Sequence, residues 1–219
     1  MVCTHHTELI AELNVALNLL FALPMLSRGV HQEDRLGVVC VMHLTKAAND
    51  YLASLDLVSE SLHAQAANAG RAGFETACQC AWLHLKRNRL DAWWDGAPAS
   101  NTKQIRSDLP RADFRHFIYA ELCEVAHPRR RSMEFLVNRS PDSSAPPAIG
   151  LVPPYDSNAV HHTLRALYLC IVCSLWDFET LHEPAMSPDQ RTTWNNGFEP
   201  IRRYYETQIA PALQSHQTA

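Results

Sequence analysis

Three pairs of a carboxylate and an imidazole recur at one spacing in this 219-residue chain: Glu60 with His63, Glu124 with His127, and Glu179 with His182. Residues three apart share a helix face, so each pair brings an oxygen and a nitrogen ligand to one point. Carboxylate-bridged di-metal bundles use two such pairs plus single acids from other helices. Glu75, Glu8 and Glu12 are the candidates for that second role. Random placement of the Glu and His present gives roughly 0.7 such pairs, so three is an excess. All three fall in the last turns of predicted helices, where the macrodipole favours His without any metal. The preferred reading is therefore helix-end His with local ion pairing. No residue is assigned as a metal ligand and no cofactor follows. A metal reading requires at least two pairs at the same height in a bundle.

Tyr119, Cys123 and His127 lie four apart and form a stripe that adjoins Glu124. A phenol, a carboxylate and an imidazole on one helix edge suit acid–base or nucleophilic work, so Tyr119, Glu124 and His127 are the catalytic candidates. The competing and favoured reading is a polar seam, with Cys123 as a small core filler. Arg71 and Glu75 are spaced i,i+4 beside Phe74, Cys78 and Trp82, which puts the pair at the core edge, as an ion pair or a pocket floor. Arg129, Arg130 and Arg131 follow directly on Pro128 and suit phosphate or an RNA backbone, though no aromatic residues interleave with them. These three, with Arg71 and Glu75, are the binding candidates. Cys170-x-x-Cys173 and Cys78-x-Cys80 sit in buried-helix patterns and read as core, not as a zinc or thioredoxin-like motif.

The elements that must position these groups are helices. Apolar residues recur at helical spacing from Thr4 or Thr7 to Ser27, with Pro24 near the end. A second helix is expected over Glu33–His63, with Val38, Met42, Ala48, Leu52, Leu55 and Leu62 as its buried stripe. Ala64 to Gly70 reads as a turn or bend, and a third helix as Ala69–Trp94, burying Phe74, Cys78, Trp82 and Leu85. A short helix over Asn101–Leu109 precedes a fourth, opened by Pro110 and ended at His127-Pro128. Residues 129–156 read as a small β-hairpin or flap. A fifth helix is expected over Ser157–Glu183, and a sixth from Pro188, interrupted by Gly197 and Pro200. The fold class is all-α: a bundle of five to six helices with a small hairpin insertion, in one domain over 1–215 with a loose tail at 216–219.

Composition narrows the class. A chain that is 47% hydrophobic and 19% charged, with 7 Gly, is neither collagen-like nor disordered. A net charge of −4 is not that of a nucleic-acid coat. Seven cysteines, an odd number and mostly in apolar helices, read as reduced thiols of a cytoplasmic protein. Met1–Glu12 lacks the basic segment of a signal peptide. The longest uncharged run, Leu13–Ser27, is broken by Asn14, Asn18 and Pro24, so no membrane span is expected. Partners are otherwise undefined, with a homodimer and RNA left open.

Arg71-x-x-x-Glu75 followed by Ala81-Trp82-Leu83, then Tyr119-x-x-Leu122-Cys123-Glu124-x-x-His127-Pro128, then Leu151-Val152-Pro153-Pro154-Tyr155-Asp156 and a long helix, resembles a loosely defined group of uncharacterised bacterial helical proteins. Some of these are similar to HEPN-like and abortive-infection proteins of phage defence. The resemblance spans roughly Asp34 to Glu183. It implies a helical bundle with Arg71, Glu75, Tyr119 and His127 close together, and no defined activity. HEPN ribonucleases carry Arg, four to six residues, then His. Arg111 to His116 fits that form, with Ala112 where a polar residue is usual. Roughly 2.6 such matches arise by chance. Three functions therefore stand as expectations: a binding protein, a metal-dependent enzyme using the Glu-x-x-His pairs, and a ribonuclease using His116 or His127.

Overall fold

The computed structural model describes residues 6–30, 35–126, 137–138, 148–149 and 157–217. The chain is all-α. Its helices are α1 (Thr7–Val30), α2 (Arg35–Ser59), α3 (His63–Leu85), α4 (Leu90–Trp94), α5 (Thr102–Asp108), α6 (Ala112–Ala126), α7 (Ser157–His182), α8 (Pro188–Tyr204) and α9 (Ala210–Gln217). A π-helical turn, Tyr205–Ile209, joins the last two. There are more helices than the five to six expected, because the third and last predicted segments each divide.

α7 is the axis of the bundle. Leu164, Leu167, Tyr168, Ile171 and Leu175 are fully buried, and so are Cys170 and Val172 on its other sides. A helix that is apolar all round must be surrounded by protein. α1, α2, α3, α6 and α8 surround it. Tyr168 donates to the Ile201 carbonyl at 3.0 Å, tying α7 to α8. Tyr51 and Ser174 share a hydrogen bond at 3.2 Å, tying α2 to α7. Two helices, Thr7–Leu26 and Ser157–Ala185, are long and apolar enough to cross a membrane by length and composition. The second is largely buried inside this bundle, and the first buries Leu9, Leu13, Leu20 and Leu23 against it.

Several expectations are corrected. The stripe expected on α2 holds only in part: Ala48 is buried and Leu55 packs against the core, but Val38, Met42 and Leu52 are exposed, while Leu36, Val39, Cys40, Ala47 and Tyr51 are buried. Close packing decides this. A Cβ on Gly73 of α3 would lie 2.8 Å from the Tyr51 ring and 3.1 Å from the Ala47 carbonyl oxygen, so α2 meets α3 where side chains are small. Ala64–Gly70 is helical, and the break falls earlier, at Ser61, whose φ is +61°. Leu85 is exposed, because α3 ends there and Lys86 leads into a 3₁₀ turn. α8 runs unbroken through Gly197 and Pro200, held by Trp194, Phe198 and Ile201, all fully buried, and by a Ser187/Gln190 capping box. The helical backbone reaches Gln217, past the start of the expected tail. The hairpin expected over 129–156 is reduced, among the described residues, to a two-residue antiparallel ladder pairing Val137 with Ile149 and Asn138 with Ala148.

Candidate functional site

The i,i+4 spacing on α3 and α6 does bring predicted residues together. Arg71 Nη1 reaches Cys123 Sγ at 3.8 Å. The Tyr119 hydroxyl hydrogen-bonds the Glu75 carboxylate, and burial followed by that bond pushes the phenol up. Thus Arg71, Glu75, Tyr119 and Cys123 form one seam between α3 and α6. His127, Arg129, Arg130 and Arg131 lie outside the described residues. Glu124 is half-buried on α6 but five residues from Tyr119, about 140° round the helix, so these two catalytic candidates do not share a face.

The seam backs onto a cavity of about 260 Å³ between α2, α3 and α5. Lys46, Glu75, Thr76, Gln79, Thr102 and Arg106 are its polar lining. Arg71 and Tyr119 are not on its wall. Tyr119 supports it instead, since the Arg106 guanidinium lies over the Tyr119 ring, 3.6 Å from the centroid. Arg106 is 6% exposed, and its Nε and Nη1 have no hydrogen-bond partner. Two buried guanidinium nitrogens without an acceptor are costly. They are retained here at the wall of a cavity of small-molecule scale. α5 is fixed from both ends: Asn101 caps it by accepting from the Gln104 amide at 2.8 Å, and Asp108 accepts from Trp82 Nε1 of α3 at 2.9 Å. The Trp82 bond, followed by that from Gln104, holds the Asp108 carboxyl below its ordinary range.

Behind the cavity wall lies a buried ion pair. Arg115 is fully buried. Its Nη2 donates to Asp177 Oδ1, its Nε to the Pro110 carbonyl at 2.8 Å, and its Nη1 reaches Cys78 Sγ at 3.4 Å. Burial pushes the Cys78 thiol up to about 12, so it is a neutral core group. Asp177 Oδ2 is buried with no hydrogen-bond partner. Burial pushes the Asp177 carboxyl up, against the pull of Arg115.

A second cluster occupies the opposite face of α3. Cys40 of α2, His84 of α3 and His182 of α7 place their ligand atoms within 4.8 Å of one another. Cys80, one turn before His84, hydrogen-bonds Cys40. That bond, ahead of burial acting the other way and of the two imidazoles, holds the Cys40 thiol well down, and it pushes Cys80 up. The His84 and His182 rings meet edge to face at 4.7 Å, and His182 stacks on Phe178 at 4.4 Å. Among the described residues this is the one such group of three.

Of the Glu-x-x-His pairs, Glu60/His63 and Glu179/His182 lie within the described residues, and neither joins its carboxylate and imidazole in a group of metal-ligand spacing. Glu60 and His63 flank the α2–α3 turn rather than sharing a helix. Glu179 takes Arg202, at 2.5 Å, while His182 turns to Cys40 and His84. Arg111 and His116 have different partners: Arg111 stacks on Trp176 at 4.8 Å, and His116 bonds Ser107 at 3.2 Å. Sequence reading missed Arg106 entirely. It placed Cys80 in the core, where it lies, without its bond to Cys40, and it placed His182 with Glu179. Cys80-x-x-x-His84 on one helix face was the visible signal for the second cluster. Cys40 and His182 join it from 44 and 98 residues away along the chain from His84, which no local pattern shows.

Comparison with known families, with curated proteins and with solved structures finds no match to this chain.

Proposed function

We propose that this protein acts by binding a small anionic ligand, bearing a carboxylate or phosphate group, in the cavity between α2, α3 and α5. One observation carries the reading: Arg106 is buried at the cavity wall with two nitrogens lacking acceptors. Nε and Nη1 leave the guanidinium from different edges, so each takes its own acceptor, and a carboxylate or phosphate group supplies a charged oxygen to one of them. Lys46 adds a second cation at the rim, partly engaged by Asp50 at 2.6 Å. Thr76, Gln79 and Thr102 offer neutral hydrogen bonds, and Glu75, held by Tyr119, accepts from a donor on the same ligand. A cavity of about 260 Å³ suits a metabolite-sized molecule, at the small end of the range of roughly 300–1,000 Å³ for such sites. The free thiols of Cys40, Cys78, Cys80, Cys123, Cys170 and Cys173 support a cytoplasmic setting. A defence role rests on the resemblance alone.

The test is a thermal-shift screen of the purified protein with inorganic phosphate, phosphate monoesters and mono- and dicarboxylates. At least one raises the melting temperature of wild type and leaves Arg106→Met unchanged. A screen in which no anion shifts wild type, or in which Arg106→Met responds equally, overturns the reading.

A further inference from the structure

The thiol–imidazole cluster on the far face of α3 is independent of the anion cavity. Cys78 lines the cavity, while Cys80, two residues on and about 200° round the helix, faces the cluster. A space of about 10 Å³ adjoins the cluster, lined by Cys80, His84, Ser174, Asp177, Phe178 and His182 and not by Cys40. That is room for roughly one water molecule or one ion and not for an organic substrate. Cys40 is fully buried, so a substrate has no route to its sulfur, and a nucleophilic role is disfavoured.

The ligand set is chemically selective. Thiolate and imidazole bind soft and borderline transition metals, whereas magnesium and calcium require oxygen donors. Two thiolates and two neutral imidazoles balance the charge of one divalent ion. Ordinary zinc–sulfur and zinc–nitrogen bond lengths place tetrahedral ligand atoms roughly 3.3–3.8 Å apart. Cys40, His84 and His182, whose ligand atoms lie within 4.8 Å of one another, need only a small contraction, whereas Cys80 lies outside that group of three and reaches it through its hydrogen bond to Cys40. Asp177, a residue 6% exposed that lines this space, holds Arg115 through Oδ1 and leaves Oδ2 without a hydrogen-bond partner. Outer-shell carboxylates of this kind orient imidazole ligands.

We propose that Cys40, Cys80, His84 and His182 form a closed four-coordinate zinc site that clamps α2, α3 and α7 together, with Asp177 in its outer shell. Such a site is structural rather than catalytic, since all four positions are filled by protein.

Cobalt titration of the reduced, chelator-treated full chain tests this. One equivalent of Co²⁺ gives the visible bands of tetrahedral cobalt and a near-ultraviolet thiolate charge-transfer band, and Zn²⁺ displaces it. Cys40→Ser and Cys80→Ser each remove about half of the charge-transfer intensity. His84→Ala, at the half-buried edge of the cluster, keeps the fold and weakens Co²⁺ binding at least tenfold, so the outcome stays decidable if a cysteine variant fails to fold. Absence of tetrahedral bands in wild type overturns the proposal. So does His84→Ala binding Co²⁺ as tightly as wild type.

Discussion

Arg106 and Arg115 are both buried, yet removing them should move stability in opposite directions. Arg115 is fully buried and bonds Asp177, the Pro110 carbonyl and Cys78. Arg115→Met leaves the Asp177 carboxylate buried and unpaired, and losing one partner of a buried pair costs about 3–5 kcal/mol. For a chain of this size that corresponds to a fall of roughly 6–20 °C in melting temperature. Arg106 makes no hydrogen bond through Nε or Nη1. Each unsatisfied buried donor costs about 1–3 kcal/mol. The stack on Tyr119 returns about 0.5–2 kcal/mol. Arg106→Met, close in volume, is therefore neutral or stabilising by about 1–3 kcal/mol in the absence of ligand. Urea denaturation of the two variants beside wild type measures both, with equal m values confirming a common unfolding reaction. Equal destabilisation of Arg106→Met and Arg115→Met would refute the distinction between a paired guanidinium and one held open for a ligand.

Other outcomes follow from particular contacts. Gly73→Ala forces its Cβ against the Tyr51 ring and the Ala47 carbonyl, and is expected to cost about 1–3 kcal/mol by chemical denaturation; a neutral result would mean that α2 and α3 separate without cost. Trp194→Ala empties a fully buried site against Phe178 and Phe198 and is expected to cost about 3–5 kcal/mol. His43 is buried, with Nδ1 on the Val39 carbonyl at 3.0 Å, and burial holds its pKa below 6.5. The unfolded chain then binds more protons in the window below 6.5, so this residue's stabilisation is present above 6.5 and is lost as pH falls through the folded value. The slope stays within about 1.4 kcal/mol per pH unit, and His43→Gln flattens it in melts between pH 5 and 7; an unchanged slope would assign the effect elsewhere.

How much of this was legible in the sequence depends on the reach of each interaction. The α7 stripe of Val160, Leu164, Leu167, Ile171, Leu175 and Phe178 is buried as its spacing implied, because a 26-residue run of helical periodicity is a strong local signal. The α2 stripe was right at Ala48 and wrong at Val38, Met42 and Leu52, which are exposed. Packing chose Ala47, Tyr51 and the missing Cβ of Gly73 instead. Pro200 was read as an interruption, yet the buried Trp194, Phe198 and Ile201 carry α8 past it. At the site, Arg71, Glu75, Tyr119 and Cys123 were found because each pair sits one turn apart on its own helix. Arg106 was invisible: what marks it is the absence of an acceptor, a property of the assembled fold. The two imidazoles and two thiols of the second cluster come from three helices, so only the Cys80–His84 spacing could be read locally.

The central claim is that Arg106 is the anchor of an anion site. Isothermal titration calorimetry of wild type and Arg106→Met, with the anion that most raises the wild-type melting temperature, tests it most directly. Charge-assisted hydrogen bonds of about 1.5–3 kcal/mol imply a loss of roughly 10- to 150-fold in affinity for Arg106→Met. An equal dissociation constant for the two proteins would contradict it.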